Sequence, residues 1–302
     1  MKNKSINIIT WGGLGDALLA TPAIKALKKN NPAKKIKVFY LKRHRDIFLN
    51  NPYIDVLKEA SFLSAPVEWI LAYFNLIEFK SFNYSYLSPA KNYSKSIVEV
   101  IAEMLDVELD DTQMDLFLTD DEINGGREQI AAYANPITIN PYAVCSKHKE
   151  WSTEKWEKLI EDMPGYTFIQ LGLNKEPLLK GAVDLRGKSL RQSAAILKSS
   201  TCYVGVDSFL AHAAAALNTA GIVLFGASSS IVFGHKSNIN INERLACSPC
   251  IEFIMKSVCP YNRECMHKIT VEDVKNAIIK QTRDFPAEDS SIAIEEYVVH
   301  NA

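Results

Sequence analysis

Residues 202–217 read Cys202-Tyr-Val-Gly-Val-Asp207-Ser-Phe-Leu-Ala-His212-Ala-Ala-Ala-Ala-Leu217, and this stretch decides the fold. Cys202 to Val206 is an unbroken apolar and small run, the pattern of a strand buried on both faces of a parallel sheet. Asp207 and Ser208 make an abrupt polar turn, and an alanine-rich helix runs from Ser208 to Leu217. Gly221 to Phe225 (GIVLF) is a second buried run. Strand, crossover helix and strand in that order require a parallel sheet.

The alternation extends outward in both directions. Upstream lie a helix at Ser189–Lys198, a strand at Tyr166–Leu171, a helix at Trp151–Glu161 and a strand at Pro136–Asn140. That strand follows a polar helix at Asp121–Tyr133, so the domain boundary is placed at Ala134-Asn135. Downstream, Val271 to Arg283 forms a last helix, and the tail from Phe285 is too polar and irregular to read. A separate series starts at the N-terminus: strand Ile6–Thr10, a glycine turn, and a helix to about Asn30. Thr21-Pro22 is expected to kink or restart that helix. Ile36–Leu41 reads as the next strand and Arg43–Leu49 as a short helix. Between residues 60 and 121 only a helix at Ser96–Leu105 stands out. The fold class is therefore α/β, with two Rossmann-like domains at 1–134 and 135–284.

Composition excludes several classes. The 302 residues carry a formal net charge of -1, which gives no general affinity for nucleic acid. Basic residues do gather near the N-terminus (Lys25, Lys28, Lys29, Lys34, Lys35, Lys37, Lys42, Arg43, His44, Arg45). Such a cluster is either a solvated helix face or a site for an anionic acceptor or membrane surface. The start of the chain is not a secretory signal. The apolar stretch Val67–Phe79 falls short of the ~20 residues needed to cross a bilayer, and reads as a buried or interfacial helix. A cytoplasmic location follows, with at most peripheral contact at the inner face of the membrane.

Three turns carry candidate chemistry. Trp11-Gly12-Gly13-Leu14-Gly15-Asp16 links a strand to a helix, so its backbone can approach a ligand. A dinucleotide fingerprint would place glycine where Leu18 stands, and an acidic residue after the second strand where Lys42 and Arg43 stand. A hydride-transferring enzyme is therefore disfavoured. Asp16 lies at the carboxyl end of the first strand, where open α/β sheets bind ligands; its simpler role is a first-turn helix cap. At the second turn, the N–H groups of Ser208, Phe209 and Leu210 would face a ligand beyond the strand, and pyrophosphate suits them. Asp207 either caps that helix or joins the site, and His212, one turn on, faces ligand or core. The third turn runs from Asn140-Pro141 to Lys149-Glu150-Trp151, where Lys149 can reach phosphate oxygens.

Cys247, Cys250, Cys259 and Cys265 fall within nineteen residues. Without a signal peptide, they read as free thiols or as a tetrahedral thiolate site for zinc or iron. The spacing departs from a standard zinc ribbon. Cys145 reads as a loop thiol and Cys202 as a small core residue.

Taken together, residues 12–22 (GGLGDALLATP), 149–151 (KEW) and 204–212 (VGVDSFLAH) resemble the ADP-heptose heptosyltransferases, glycosyltransferase family 9. Leu224-Phe225-Gly226 and the cysteine segments ending in Ile269-Thr270-Val271 are similar to that family too. The resemblance implies a GT-B fold whose domains face a cleft, with acceptor bound mainly by the first and donor mainly by the second. The tail 285–302 is expected to pack back on the first domain. It implies an inverting, metal-independent transfer from a nucleoside-diphosphate sugar to a lipopolysaccharide or other glycan acceptor. Asp16 would be the general base, flanked by Gly13, Leu14 and Gly15. Lys149, Asp207, Ser208, Phe209, Leu210 and His212 would hold the donor, and Glu176 its ribose. No catalytic cofactor is implied. Family members commonly have Thr-Gly where Ser208-Phe209 stands and Gly-Pro-Thr where Gly226-Ala227-Ser228 stands, which bears on the sugar and acceptor more than on the fold. A different sugar-nucleotide donor, or a binding protein without transfer activity, are the competing readings.

Overall fold

Each of the two compact units of the chain, Met1–Phe117 and Leu118–Ala302, is organised by a parallel sheet. The structure, a computed structural model, describes residues 5–10, 12–60, 78–82, 94–250 and 258–284. Unit 1 contains β1 (Ser5–Thr10), β2 (Lys35–Tyr40), β3 (Val56–Glu59) and β4 (Glu78–Phe82), in the order β3-β2-β1-β4. Every residue of β1 is buried, because both faces of this central strand are covered. Ile6 pairs with Ile36 and Ile8 with Val38, which fixes the register.

Past β1 the chain turns at Gly12, enters a helix at Leu14–Leu19, and resumes as a second helix at Thr21–Asn30. The expected restart at Thr21-Pro22 is therefore present. Thr21 holds the joint by donating its hydroxyl to the Leu18 carbonyl at 2.8 Å. Part of the basic cluster is neutralised within the unit. Lys25 pairs with Asp111 at 3.6 Å, Lys28 with Asp55 at 2.8 Å and Lys29 with Asp110 at 2.7 Å.

Unit 2 contains β5 (Pro136–Asn140), β6 (Thr167–Gln170), β7 (Val183–Asp184), β8 (Cys202–Val206), β9 (Gly221–Phe225) and β10 (Asn238–Asn242). All pairings are parallel, in the order β10-β9-β8-β5-β6-β7. Strand order reverses between β5 and β8, as in doubly wound nucleotide-binding sheets. β8 and β9 are buried throughout, as their uninterrupted apolar sequences require. Helices Thr153–Asp162 and Val271–Asp284 contribute Trp156, Leu159, Val274 and Ile278 to the core over Phe168, Val204 and Leu224.

Several expectations are corrected. The unit boundary falls at Phe117/Leu118, not at Ala134-Asn135. The polar helix Asp120–Ile130 belongs to unit 2 because it packs on helix Leu190–Lys198. Arg191 donates to the Glu122 carboxylate, and a Cβ on Gly126 would stand 2.4 Å from the Ala195 backbone. Glu78 and Phe79 belong to a strand, so the apolar stretch Val67–Phe79 does not end as a helix; residues 67–77 lie outside the described residues. So do Trp11 and the tail 285–302, which leaves the packing of that tail undescribed. Strands β3, β7 and β10 had no sequence assignment. Among the described residues no helix is long and apolar enough to cross a membrane.

Candidate functional site

In open α/β sheets, ligands bind beyond the carboxyl ends of the strands where the strand order reverses. In unit 2 that point lies between Asn140, ending β5, and Val206, ending β8. Ser208 spans it by donating its hydroxyl to Asn140 Oδ1 at 2.7 Å. The backbone at Ser208 is extended, and helix Phe209–Ala216 starts with no side chain capping it. Its first-turn N–H groups and positive dipole end therefore lie at the switch point.

Asp207 does not cap this helix. The residue is 2% exposed, and its carboxylate receives the Lys149 ammonium at 2.5 Å. Burial on its own would neutralise both groups. Against that, the Lys149 ammonium holds the Asp207 carboxyl below its ordinary value, and Asp207 holds the Lys149 ammonium above its own. Lys149 comes from the loop after β5, and its Nζ also lies 5.8 Å from the centre of the Phe233 ring. His212 faces this cluster rather than only the core: its Nε2 is 3.8 Å from Asp207 Oδ1. Its Nδ1 meets His235 Nε2 at 2.7 Å. Burial pushes His212 down to about 4 and His235 down to about 3, so both rings are neutral near pH 7.

Glu176 lines a different feature, an open pocket of about 890 Å³ with Tyr142, Lys147, Glu150 and Arg263 on its walls. Gly172 sits at φ +137, and a Cβ there would lie 2.1 Å from Glu176 Oε2. Glycine thus lets the carboxylate fold back to accept the Leu173 N–H at 2.9 Å. Burial raises the Glu176 carboxyl. Lys149 and Asp207 do not line this pocket.

In unit 1 the glycine turn follows β1. Asp16 Oδ2 accepts the Gly13 N–H at 2.5 Å, so the carboxylate does tie down the start of its own short helix. Gly12, at φ +86, has no room for a Cβ beside that carboxylate. The Gly12 carbonyl accepts from Arg43 Nη2 at 2.6 Å and from His44 Nε2 at 3.1 Å. Leu14 and Gly15 are partly exposed on the same turn, and Gly13 is exposed.

The cysteine segment brings Cys247, Cys250, Cys259 and Cys265 to one small pocket of about 50 Å³, beside His148. Burial raises the Cys250 thiol, and raises that of Cys265 to about 11, with the neighbouring thiols adding to both. Among the described residues no three His, Cys, Asp or Glu side chains stand as a metal-holding group. Cys202 is a buried core thiol pushed up to about 12. Cys145 is exposed, with its thiol beside Lys149.

The family model for glycosyltransferase family 9 (heptosyltransferase) matches residues 77–258. The chain belongs to glycosyltransferase family 9. It is on that ground a glycosyltransferase. Solved structures agree with the two-sheet architecture of that family. A family 9 glycosyl transferase from Veillonella parvula shares 15% identity at TM-score 0.73, covering 93% of this chain and 98% of that one. The Escherichia coli ADP-heptose lipopolysaccharide heptosyltransferase II shares 16% identity at TM-score 0.70, covering 93% and 99%. The dodecameric iron-containing heptosyltransferase TibC, solved with ADP-D-β-D-heptose, shares 16% identity at TM-score 0.73, covering 94% and 77%; TibC comes from enterotoxigenic E. coli. At these identities the likeness is one of fold, the GT-B fold with a Rossmann-like sheet in each unit. No curated protein matches the sequence.

Within this family 9 chain, sequence reasoning gave no role to four residues of these turns. Asn140 was noted as a strand end opening the third turn, Arg43 and His44 as members of a basic cluster, with Arg43 also standing where a dinucleotide site has an acid, and His235 not at all. A histidine directly after Gly234, one short helix beyond the Gly226 turn, was the available signal for His235.

Proposed function

We propose that the chain transfers a heptose or related sugar, from ADP-heptose in preference to other nucleoside-diphosphate sugars, to a hydroxyl of a lipopolysaccharide or other surface glycan. The observation that carries this reading is the buried Lys149–Asp207 pair beside the uncapped start of helix Phe209–Ala216, at the switch point of the second sheet. A diphosphate there meets backbone N–H groups, a helix dipole and a fixed ammonium, without a divalent ion. The large pocket at Glu176 has the volume for a nucleoside, and its carboxylate suits the ribose hydroxyls.

The reaction proceeds with inversion. Asp16 takes the proton from the acceptor hydroxyl as its oxygen forms a bond to the anomeric carbon. The bond from that carbon to the diphosphate oxygen breaks, and the nucleoside diphosphate leaves with the electron pair. Lys149 and the N–H groups of Ser208, Phe209 and Leu210 stabilise the charge that develops on the leaving oxygen. Asp207 and His212 hold Lys149 in place, and Gly13, Leu14 and Gly15 shape the turn that presents Asp16. The protein works in the cytoplasm, with at most peripheral contact with the inner face of the membrane.

The cysteine pocket supports a structural rather than catalytic ion. Four thiols are a soft donor set suited to zinc or iron, and TibC is described as iron-containing. An ion at Cys247, Cys250, Cys259 and Cys265 would tie the segments on either side of residues 251–257 together, and no chemical step passes through it.

A thermal-shift screen against ADP-, GDP- and UDP-sugars tests the donor. Ligand at about a hundred times its Kd stabilises the folded chain by about 2.7 kcal/mol, so ADP-heptose should raise Tm most. A larger shift with a GDP- or UDP-sugar would replace the donor named here.

A further inference from the structure

The Lys149–Asp207 pair does not stand alone. Asp207 Oδ1 faces His212 Nε2 at 3.8 Å, and His212 Nδ1 faces His235 Nε2 at 2.7 Å. The two rings meet edge to face, with centres 5.0 Å apart and planes at 82°. His235 follows helix Ser230–Phe233, and its own carbonyl accepts from Asn240 Nδ2 at 3.1 Å. That bond places the backbone of His235 against the edge strand β10.

Two neutral imidazoles meeting nitrogen to nitrogen share one proton, and the neighbours decide which ring carries it. If His212 donated from Nδ1, its Nε2 lone pair would face the Asp207 carboxylate, two negative ends 3.8 Å apart. If His235 donates from Nε2, the His212 proton sits on Nε2 and points at that carboxylate. Only the second arrangement has every neighbouring pair attractive. Burial keeps both rings uncharged near pH 7, which makes the choice one of tautomer and not of net charge.

We infer that His235 is a positioning residue of the donor site: its Nε2–H fixes the His212 tautomer, and His212 in turn steadies the carboxylate that anchors Lys149. The inference rests on the reading of Lys149 and Asp207 as donor-site residues. In this reading His235 acts through His212 and not on the donor itself. The Phe233 ring beside Lys149 Nζ ties the same short helix to the ammonium, so one segment steadies the lysine from two directions.

The test combines nitrogen-15 histidine NMR of the full chain with ADP binding by calorimetry, for the native sequence, His235→Gln, His235→Phe and Lys149→Met. The native protein should carry the His212 proton on Nε2. Glutamine offers an N–H in place of the imidazole Nε2–H, and His235→Gln should keep both that tautomer and the native ADP affinity. His235→Phe, with no donor, should lose the single tautomer and weaken ADP binding about five- to tenfold, the worth of one buried hydrogen bond. A His212 proton found on Nδ1 in the native protein overturns the inference without need of any variant. So does a His235→Phe protein that binds ADP within about twofold of native while Lys149→Met loses it. If Lys149→Met also binds ADP at native strength, the donor-site reading has failed, and this inference fails with it.

Discussion

The Lys149 ammonium lies 2.5 Å from the Asp207 carboxylate, although the two residues are 58 apart in sequence. The side chains are only 11% and 3% exposed. Such a pair is held by the folds of two different strand-to-helix loops, and removing one partner leaves a buried charge unsatisfied. Lys149→Met should therefore destabilise the chain by about 3–5 kcal/mol, read by urea unfolding. Adding Asp207→Asn should recover much of that loss but none of the ADP affinity, which is expected to fall by about 1.5–3 kcal/mol in both proteins. Native ADP affinity in the double variant would remove Lys149 from the donor site.

The paired histidines set a pH window. His212 and His235 have folded values of about 4 and about 3, below the ordinary 6.5. Below pH 6.5 the unfolded chain takes up protons that the folded rings refuse, so stability is lost as pH falls from about 6.5 towards the folded values. Each ring contributes a slope of at most about 1.4 kcal/mol per pH unit. His44, lowered by burial, acts in the same direction. His235→Gln should flatten the fall between pH 6.5 and 4 relative to the native chain, as measured by urea unfolding across that range. Superimposable pH profiles for the two proteins would contradict the buried neutral pair.

Gly172 is required where it stands. At φ +137, with Glu176 Oε2 2.1 Å from the position of a Cβ, alanine meets both backbone strain and the carboxylate. Gly172→Ala should cost about 1–3 kcal/mol of stability and displace Glu176 from the pocket. Adenosine competition for the donor site reports that displacement. A variant of native stability and native adenosine affinity would show that the turn relaxes freely.

The cysteine pocket is tested by elemental analysis of anaerobically purified chain. About one equivalent of zinc or iron is expected for a four-thiolate site. Less than about a tenth of an equivalent favours free thiols, in keeping with the absence of a metal-holding triad among the described residues.

Much of this was legible because the second unit is patterned so plainly. CYVGV and GIVLF are apolar or small at every position, so both must be central strands, and the turn at Asp207-Ser208 had to lie at the carboxyl end of the sheet, where ligands bind in such folds. What single-residue reading missed was partnership. Asp207 could not be told from a helix cap until Lys149 was seen across the switch point. Strands β3 and β10 carry charged or amide side chains (VLKE and NININ), so they lack the apolar signal. The helix Asp120–Ile130 was assigned to the wrong unit because its surface is polar, and only Gly126 and Glu122 reveal what it packs on.

Asp16 is the centre of the proposed mechanism, and its geometry admits both roles. The carboxylate ties the Gly13 N–H at 2.5 Å, which asparagine can also do through its oxygen, but asparagine cannot take a proton from an acceptor hydroxyl. The decisive measurement is the rate of sugar transfer by Asp16→Asn, with folding and donor binding checked in the same preparation. The proposed mechanism predicts a folded, donor-binding protein whose turnover is lower by about 10²–10⁴-fold. Transfer at the native rate by that protein would contradict it, leaving Asp16 as a helix cap and placing the base elsewhere.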